Sequence, residues 1–264
     1  MKTIATVDEL RAALVDAGSV GLVPTMGALH EGHLSLLRAA RGENDLVVAS
    51  LFVNPAQFDV ESDLEAYPRD EARDARLAAE AGVDILFAPP LEEMYPAGFQ
   101  TWVDVEGVSR GLEGDARPGH FRAVATVCLK LFNIVRPARA YFGQKDAQQA
   151  AVIRRLVRDL DVPLEIRVLP IVRDPDGLAL SSRNVRLSPD ERARALALPR
   201  ALAKGAEAYR SGGDAVAAAT AELNGLTPDY VELLDLDGAL MLAGAVHVGS
   251  IRLIDNVLLK GELT

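Results

Sequence analysis

Residues 24–33, "PTMGALHEGH", set two imidazoles three positions apart behind a glycine-containing turn. Upstream, "VGLVP" (20–24) reads as a short strand; downstream, an apolar period opens a helix that runs to about residue 42. Positions i and i+3 share a helix face, so His30 and His33 meet where the helix starts. Backbone N–H groups at a helix start attract phosphate, and two imidazoles there can donate hydrogen bonds to a phosphate whose charge grows during transfer. Gly27 permits positive φ or close backbone approach, and Gly32 loosens the first turn. The competing readings are a solvated polar turn and a zinc site. H-x-x-H supplies only two zinc ligands, and the single cysteine lies elsewhere.

Four other stretches carry chemistry-bearing side chains. In "FVNPAQF" (52–58), Asn54 and Gln57 are amides that both donate and accept, which suits a hydroxyl-bearing substrate; otherwise this is a proline loop with an Asn cap. In "YFGQKDAQQ" (141–149), Gly143 gives backbone access and Lys145 supplies positive charge for phosphate oxygens. Asp146 there can hold a ribose or orient the lysine, and Gln149 sits one helical turn beyond Lys145. Its alternative is a solvated helix face. "GLALSSRN" (177–184) offers two hydroxyls and the Arg183 guanidinium, a set able to grip a triphosphate, against the alternative of a flexible interdomain loop. "GDARPGHF" (114–121) places Arg117 and His120 near a helix start, as a site or as a capping loop.

The elements that must position these residues form a repeating pattern. Strands are expected at 20–24, 45–53, 83–89, 139–143 and 164–172, with helices over 68–82, 120–137 and 144–160 between them. Short apolar strands alternating with helices predict an α/β fold with right-handed crossovers and a mostly parallel sheet. Ligands of such sheets bind outside the carboxyl ends of the strands. The first three motifs directly follow strands. After "DPDG" (174–177), a turn signal, the pattern changes. A helix from Ser188, its cap, with Pro189 in the first turn, extends to about Arg210; "GGD" ends it and a second helix follows. Two β-rich runs, 230–240 and 247–259, close the chain. These features place a boundary near residue 173, with a smaller α+β domain over 174–264.

Bulk properties narrow the function. The 264 residues carry a net charge of -10, which argues against a nucleic-acid surface while allowing a locally positive site for an anionic ligand. Cys128, inside the apolar run "TVCLKLFNIV", reads as a small core residue. The N-terminal "MKTIATVDELRAAL" lacks the pattern of a signal peptide, and no apolar stretch approaches the roughly 18–20 residues of a membrane span. A soluble, cytoplasmic protein is expected.

"PTMGALHEGHLSLLRAA", "FVNPAQF", "YPRD", "FGQKDAQQ" and "SSRN", in this order, resemble the pantothenate synthetase (pantoate–β-alanine ligase) family. "HEGH" is similar to the HIGH signature of the nucleotidyltransferase superfamily, and "SSRN" stands where class I aminoacyl-tRNA synthetases carry their second signature. The resemblance implies a Rossmann-like catalytic domain (1–173) that binds nucleotide and pantoate, and a smaller α+β lid domain (174–264). It implies attack of pantoate carboxylate on ATP, giving pantoyl adenylate and pyrophosphate, followed by attack of β-alanine, giving pantothenate and AMP.

By position, Met26, Gly27, Ala28, Leu29, His30, Glu31, Gly32 and His33 would line the ATP site, with both histidines on the phosphates and His33 as proton donor. Gly143, Gln144, Lys145 and Asp146 would hold the nucleotide, Val172 would meet the adenine through its backbone, and Leu180, Ser181, Ser182 and Arg183 would close over the triphosphate. The implied catalytic set is His33, His30, Lys145 and Arg183. Gln57 would contact pantoate and β-alanine, with Gln149, Asn54, Pro24, Thr25 and Met26 also on pantoate. Mg²⁺ would accompany ATP, held largely by phosphates and water, with Asp74 a candidate protein contributor.

One departure is Ala123, where the family more often has glycine. A homodimer is implied, with "SLFVNP" and the following helix as a candidate interface. The rivals are a one-step adenylyl- or cytidylyltransferase, which would need more positive charge, and a non-catalytic nucleotide-binding module. A class I tRNA synthetase is disfavoured, because the acidic chain has no room for an anticodon-binding domain.

Overall fold

The computed structural model describes residues 1–223, 225–236 and 238–262. Six strands, β1 (Lys2–Ile4), β2 (Val20–Thr25), β3 (Leu46–Leu51), β4 (Ile85–Phe87), β5 (Arg139–Gly143) and β6 (Glu165–Leu169), pair in the order β1-β4-β3-β2-β5-β6, every pairing parallel. Between them run α1 (Val7–Ala13), α2 (Glu31–Glu43), α3 (Glu61–Glu65), α4 (Glu71–Glu80), α5 (Leu91–Met94), α6 (Leu112–Ala116), α7 (His120–Val135) and α8 (Ala147–Asp159). The strands are apolar throughout because both faces of the sheet are covered. Successive side chains alternate between two cores, as the pleat requires. Leu22, Val48, Ile85 and Phe87 pack with α1, α7 and α8, while Val23, Val47, Ala49 and Leu86 pack with α2 and α4. Cys128 is buried in the first of these cores, and burial pushes its thiol up to about 12. Ala123 lies buried in α7.

The sheet order reverses between β2 and β5, the two neighbours from which the chain departs in opposite directions. A crevice forms at such a reversal, outside the carboxyl ends of the strands. "PTMGALHEGH" leaves β2 and "GQKD" leaves β5, so the topology brings the first and third motifs together.

The C-terminal part holds α9 (Pro189–Ala195), α10 (Ala197–Arg210) and α11 (Ala215–Glu222) against an antiparallel sheet, β7 (Pro228–Leu236), β8 (Ala239–Val248) and β9 (Ile251–Lys260). Leu198, Ala201 and Leu202 of α10 pack with Ala215 and Ala219 of α11 against Leu242, Val246 and Leu253. A smaller cluster, Ala147 and Ala151 with Leu236, Ala239 and Met241, joins this unit to α8.

Several expectations change. The two β-rich runs are three strands, because 230–240 runs from β7 into β8. The helix expected over 188–210 divides at Leu196 into α9 and α10. The strand expected to reach 172 ends at Leu169, since Pro170 has no N–H to give the ladder. β1 went unread because its three residues gain their structure only by pairing with β4. In "SLFVNP", Ser50, Phe52 and Asn54 are buried within the chain, while Leu51, Val53 and Pro55 are partly exposed.

Candidate active site

The loop leaving β2 is shaped from below by a buried carboxylate. Asp74 of α4, 1% exposed, accepts the N–H of Ala28 at Oδ2 (2.7 Å) and of Leu29 at Oδ1 (2.8 Å). Arg73 Nη1 donates to the Leu29 carbonyl at 3.0 Å. These bonds hold Gly27 at φ 84° and Ala28 at φ 51°, a left-handed conformation that costs an alanine about 1 kcal/mol. Both Asp74 oxygens are therefore engaged by the loop. The aspartate expected as a magnesium contributor supports the histidine turn.

His30 is the N-cap residue of α2, and its backbone N–H donates to His33 Nδ1 at 3.4 Å. That bond leaves the proton of a neutral His33 on Nε2, as a donor for a ligand. The two rings stand 4.0 Å apart, centroid to centroid. Burial, then the charge of Lys145, lowers the His30 pKa to about 4; burial, then His30, lowers that of His33 to about 3. Both rings are neutral near pH 7. His30 Nδ1 is buried without a hydrogen-bond partner, a polar atom awaiting one.

Gly32 is set by the same geometry. A Cβ there would stand 2.9 Å from both Nδ1 and Cε1 of His30, whose ring folds back over the helix start. Gly32→Ala is expected to turn the His30 ring away and cut turnover roughly tenfold, a step of ~1.4 kcal/mol. Thermal stability should hold or rise, because alanine favours the helix by up to about 1 kcal/mol. Parallel kinetics and thermal melts check this opposition of signs.

A second set fixes Gln57. Its carbonyl accepts Arg117 Nη2 (2.8 Å) and His120 Nδ1 (3.2 Å), while Arg117 Nη1 lies 3.1 Å from His120 Nε2 and Arg117 Nε donates to Asp59 at 3.0 Å. Arginine only donates, so His120 accepts at Nε2 and carries its proton on Nδ1. Burial, then Arg117, lowers the His120 pKa to about 4. Asn54, fully buried, donates to Gln57 Oε1 at 2.8 Å, which leaves the Gln57 NH₂ group as the donor for a substrate.

Met26, His30, Gly32 and His33 share one cavity of 180 Å³ with Gly143, Lys145, Asp146, Val172 and the stretch Leu180–Arg183. Lys145 Nζ lies 3.6 Å from Asp146. Burial opposes ionisation of Asp146, yet the positive charges facing it, Lys145 foremost, bring its pKa below the usual range. Ser182 Oγ donates to the Ala28 carbonyl (3.2 Å), joining the "SSRN" turn to the histidine loop. Arg183 Nη2 and Arg186 Nη1 meet the two oxygens of Asp63 at 2.7 and 3.0 Å. Lys145 and Asp146 also border an 840 Å³ cleft running toward the C-terminal sheet, and a smaller cavity lined by Arg117, His120 and Gln149.

Other expected residues engage their side chains within the chain. Leu29 is core, Glu31 pairs with Arg38 at the surface, Gln144 turns its amide to Asn256, and Thr25 Oγ1 donates to the Ser50 carbonyl. Pro24, at the end of β2, pairs in register with Ser50 of β3.

The family model described as pantoate-beta-alanine ligase matches residues 1–258. The chain belongs to the pantoate-beta-alanine ligase family. The pantothenate synthetase of Roseiflexus castenholzii is 54% identical, covering 98% of this chain and all of that relative. That of Corynebacterium glutamicum is 52% identical, covering 97% and 99%. Among solved structures, the pantothenate synthetase of Thermus thermophilus superposes with a TM-score of 0.95 at 48% identity, covering 99% of this chain and all of that one. The Francisella tularensis pantoate-beta-alanine ligase, solved with beta-gamma ATP and beta-alanine, superposes with a TM-score of 0.84 at 35% identity, covering 98% and 97%.

Some supporting residues of this ligase escaped the sequence reading. Gln148, 4% exposed, donates from Nε2 to the carbonyls of Val108, Arg110 and Gly111 (3.0–3.2 Å) and accepts the Glu113 N–H at 3.0 Å. A glutamine within the apolar stripe of α8 was the available signal. Glu113 in turn takes both terminal nitrogens of Arg252 and the Tyr230 hydroxyl, each at 2.7 Å, tying the 106–117 segment to the C-terminal sheet.

The three neutral histidines make stability pH-dependent. Their folded pKa values lie below the ordinary 6.5, so the unfolded chain binds more protons between pH 6.5 and about 4. Stability is expected to be flat above pH 6.5 and to fall below it, by up to about 1.4 kcal/mol per pH unit for each histidine. Urea titrations at pH 7.5, 6 and 5 check this, since that window lies above the ordinary carboxylate range. A flat response across it contradicts the assignment.

Proposed function

We propose that this chain performs its family's reaction, the ATP-dependent ligation of pantoate to β-alanine, through a pantoyl adenylate. The observation that carries the reading is the convergence of two neutral histidines, one with an unpartnered buried nitrogen, with Lys145 and Arg183 around one cavity at the sheet's reversal point. Pantoate carboxylate oxygen attacks the α-phosphorus, and the bond from that phosphorus to the departing pyrophosphate oxygen breaks. Negative charge moves onto phosphate oxygens, where His33 Nε2–H, His30, Lys145 and Arg183 donate; donors fixed in advance act most strongly as charge develops. The β-alanine amine then attacks the activated carbonyl, loses a proton and expels AMP. No enzyme nucleophile is needed, consistent with the buried, protonated Cys128.

In this reading Met26 to His33 and Gly143 to Asp146 flank ATP, the backbone of Val172 meets adenine, and Ser181, Ser182 and Arg183 cover the triphosphate, with Arg183 exchanging Asp63 for phosphate. Pantoate lies over Pro24, Thr25 and Met26 against Gln57, Gln149 and Asn54; Gln57 also meets β-alanine. Mg²⁺ would accompany ATP, carried largely by phosphates and water. Asp146, which lines the nucleotide cavity, is the carboxylate that would meet it, and the ion would neutralise phosphate charge.

The same reading makes residues 1–173 the catalytic domain and 174–264 a lid, in a cytoplasmic homodimer. Among the described residues no helix is long and apolar enough to cross a membrane. ATP–pyrophosphate exchange with Mg²⁺ tests the first step: exchange with pantoate and no β-alanine supports it. Exchange with no acid, or none with pantoate in folded protein that binds ATP, contradicts it.

A further inference from the structure

Strand β9 carries two adjacent side chains, Asp255 and Asn256, each 3% exposed. Asn256 Nδ2 donates to the carbonyls of Gln144 (2.9 Å) and Lys145 (3.0 Å), and its Oδ1 accepts Gln144 Nε2 at 3.1 Å. Asp255 accepts Arg173 Nη1 at 2.6 Å and Nη2 at 2.9 Å, and its Oδ1 also accepts the Asn256 N–H at 2.8 Å. Arg173 sits at the base of a short hairpin in which the Leu180 N–H donates to the Val172 carbonyl at 3.0 Å, and Ser181–Arg183 follow directly. One dipeptide of the C-terminal sheet thus holds two of the segments that line the nucleotide cavity.

We propose that Asp255 and Asn256 are positioning residues, which set the distance between the Lys145 turn and the Ser181–Arg183 turn; this rests on the ligase reading above. The residue types support it. A primary amide alone supplies two donors to two carbonyls while accepting a third bond, whereas aspartate would set an oxygen against those carbonyls. The bidentate arginine–carboxylate pair fixes orientation as well as distance. A buried ion pair is a poor source of stability, so its value here is geometric. The C-terminal unit is then a built-in part of the phosphate-handling site as well as its cover.

The test is a double-mutant cycle on pantoate-dependent ATP–pyrophosphate exchange, using Asn256→Ala, Lys145→Ala and their combination in the full chain. Asn256→Ala is expected to lower exchange about tenfold, the scale on which small misplacements of a catalytic group act. In the Lys145→Ala background it should lower exchange no further, because its effect passes through Lys145. A change that destabilised the protein generally would cost the same factor in both backgrounds. Equal losses in the two backgrounds, or no loss in either, overturn the proposal. If Asn256→Ala does not fold, Asn256→Asp, which sets an oxygen against the Gln144 and Lys145 carbonyls at nearly unchanged volume, takes its place in the cycle. Absence of exchange in the unmodified chain overturns the ligase reading, and this proposal with it.

Discussion

Replacing His33 with alanine is expected to slow pantoate-dependent pyrophosphate exchange by about 10²–10³-fold while ATP affinity changes only a few-fold. The asymmetry follows from the ring's state. Burial keeps His33 neutral, and the His30 N–H on Nδ1 leaves its proton on Nε2. A neutral donor gains little from a ground-state phosphate already surrounded by cations, and more as charge builds in transfer. The tautomer supplies a finer check. His33→Gln, whose amide nitrogen falls near the Nε2 position, should retain more activity than His33→Asn, whose amide falls near Nδ1. Equal losses of rate and ATP affinity in His33→Ala would mean uniform binding and contradict this role.

Lys145→Ala should lower exchange on the same scale, about 10²–10³-fold, and should also alter the pH profile. Lys145 borders all three cavities and lies 3.6 Å from Asp146. After burial, its charge is the main influence holding the His30 pKa down to about 4. Without it, His30 takes up a proton at higher pH, so residual activity should fall away on the acid side sooner than in the unmodified protein. Rate–pH profiles of the two proteins decide this. An acid limb that stays in place would mean that Lys145 does not act on His30.

The parts of this structure that were legible in the sequence depend on local pattern. Doubly covered strands such as β3 are apolar at nearly every position, and the first, second and third motifs follow β2, β3 and β5 as the parallel-sheet rule requires. The sheet order was not legible, although it is what sets "HEGH" beside "GQKD". The unread parts depend on pairing over distance. β1 exists through β4, some eighty residues on. Asp74 reads as an acidic residue on a helix until the fold brings the Ala28 and Leu29 N–H groups to it. Asn256 lies in an ordinary strand pattern, and its partners are 111 and 112 residues earlier. The β-rich run at 230–240 misled because strand propensity continues through a turn.

The proposed joining of a carboxylate to the α-phosphorus of ATP, in the cavity at the sheet's reversal point, is tested by pantoate labelled with oxygen-18 in its carboxylate. After turnover with ATP, Mg²⁺ and β-alanine, mass spectrometry of the isolated AMP should find one labelled oxygen per molecule, because the carboxylate oxygen bonded to phosphorus leaves with it. Unlabelled AMP, or label recovered in inorganic phosphate with ADP as the nucleotide product, would contradict the adenylate route.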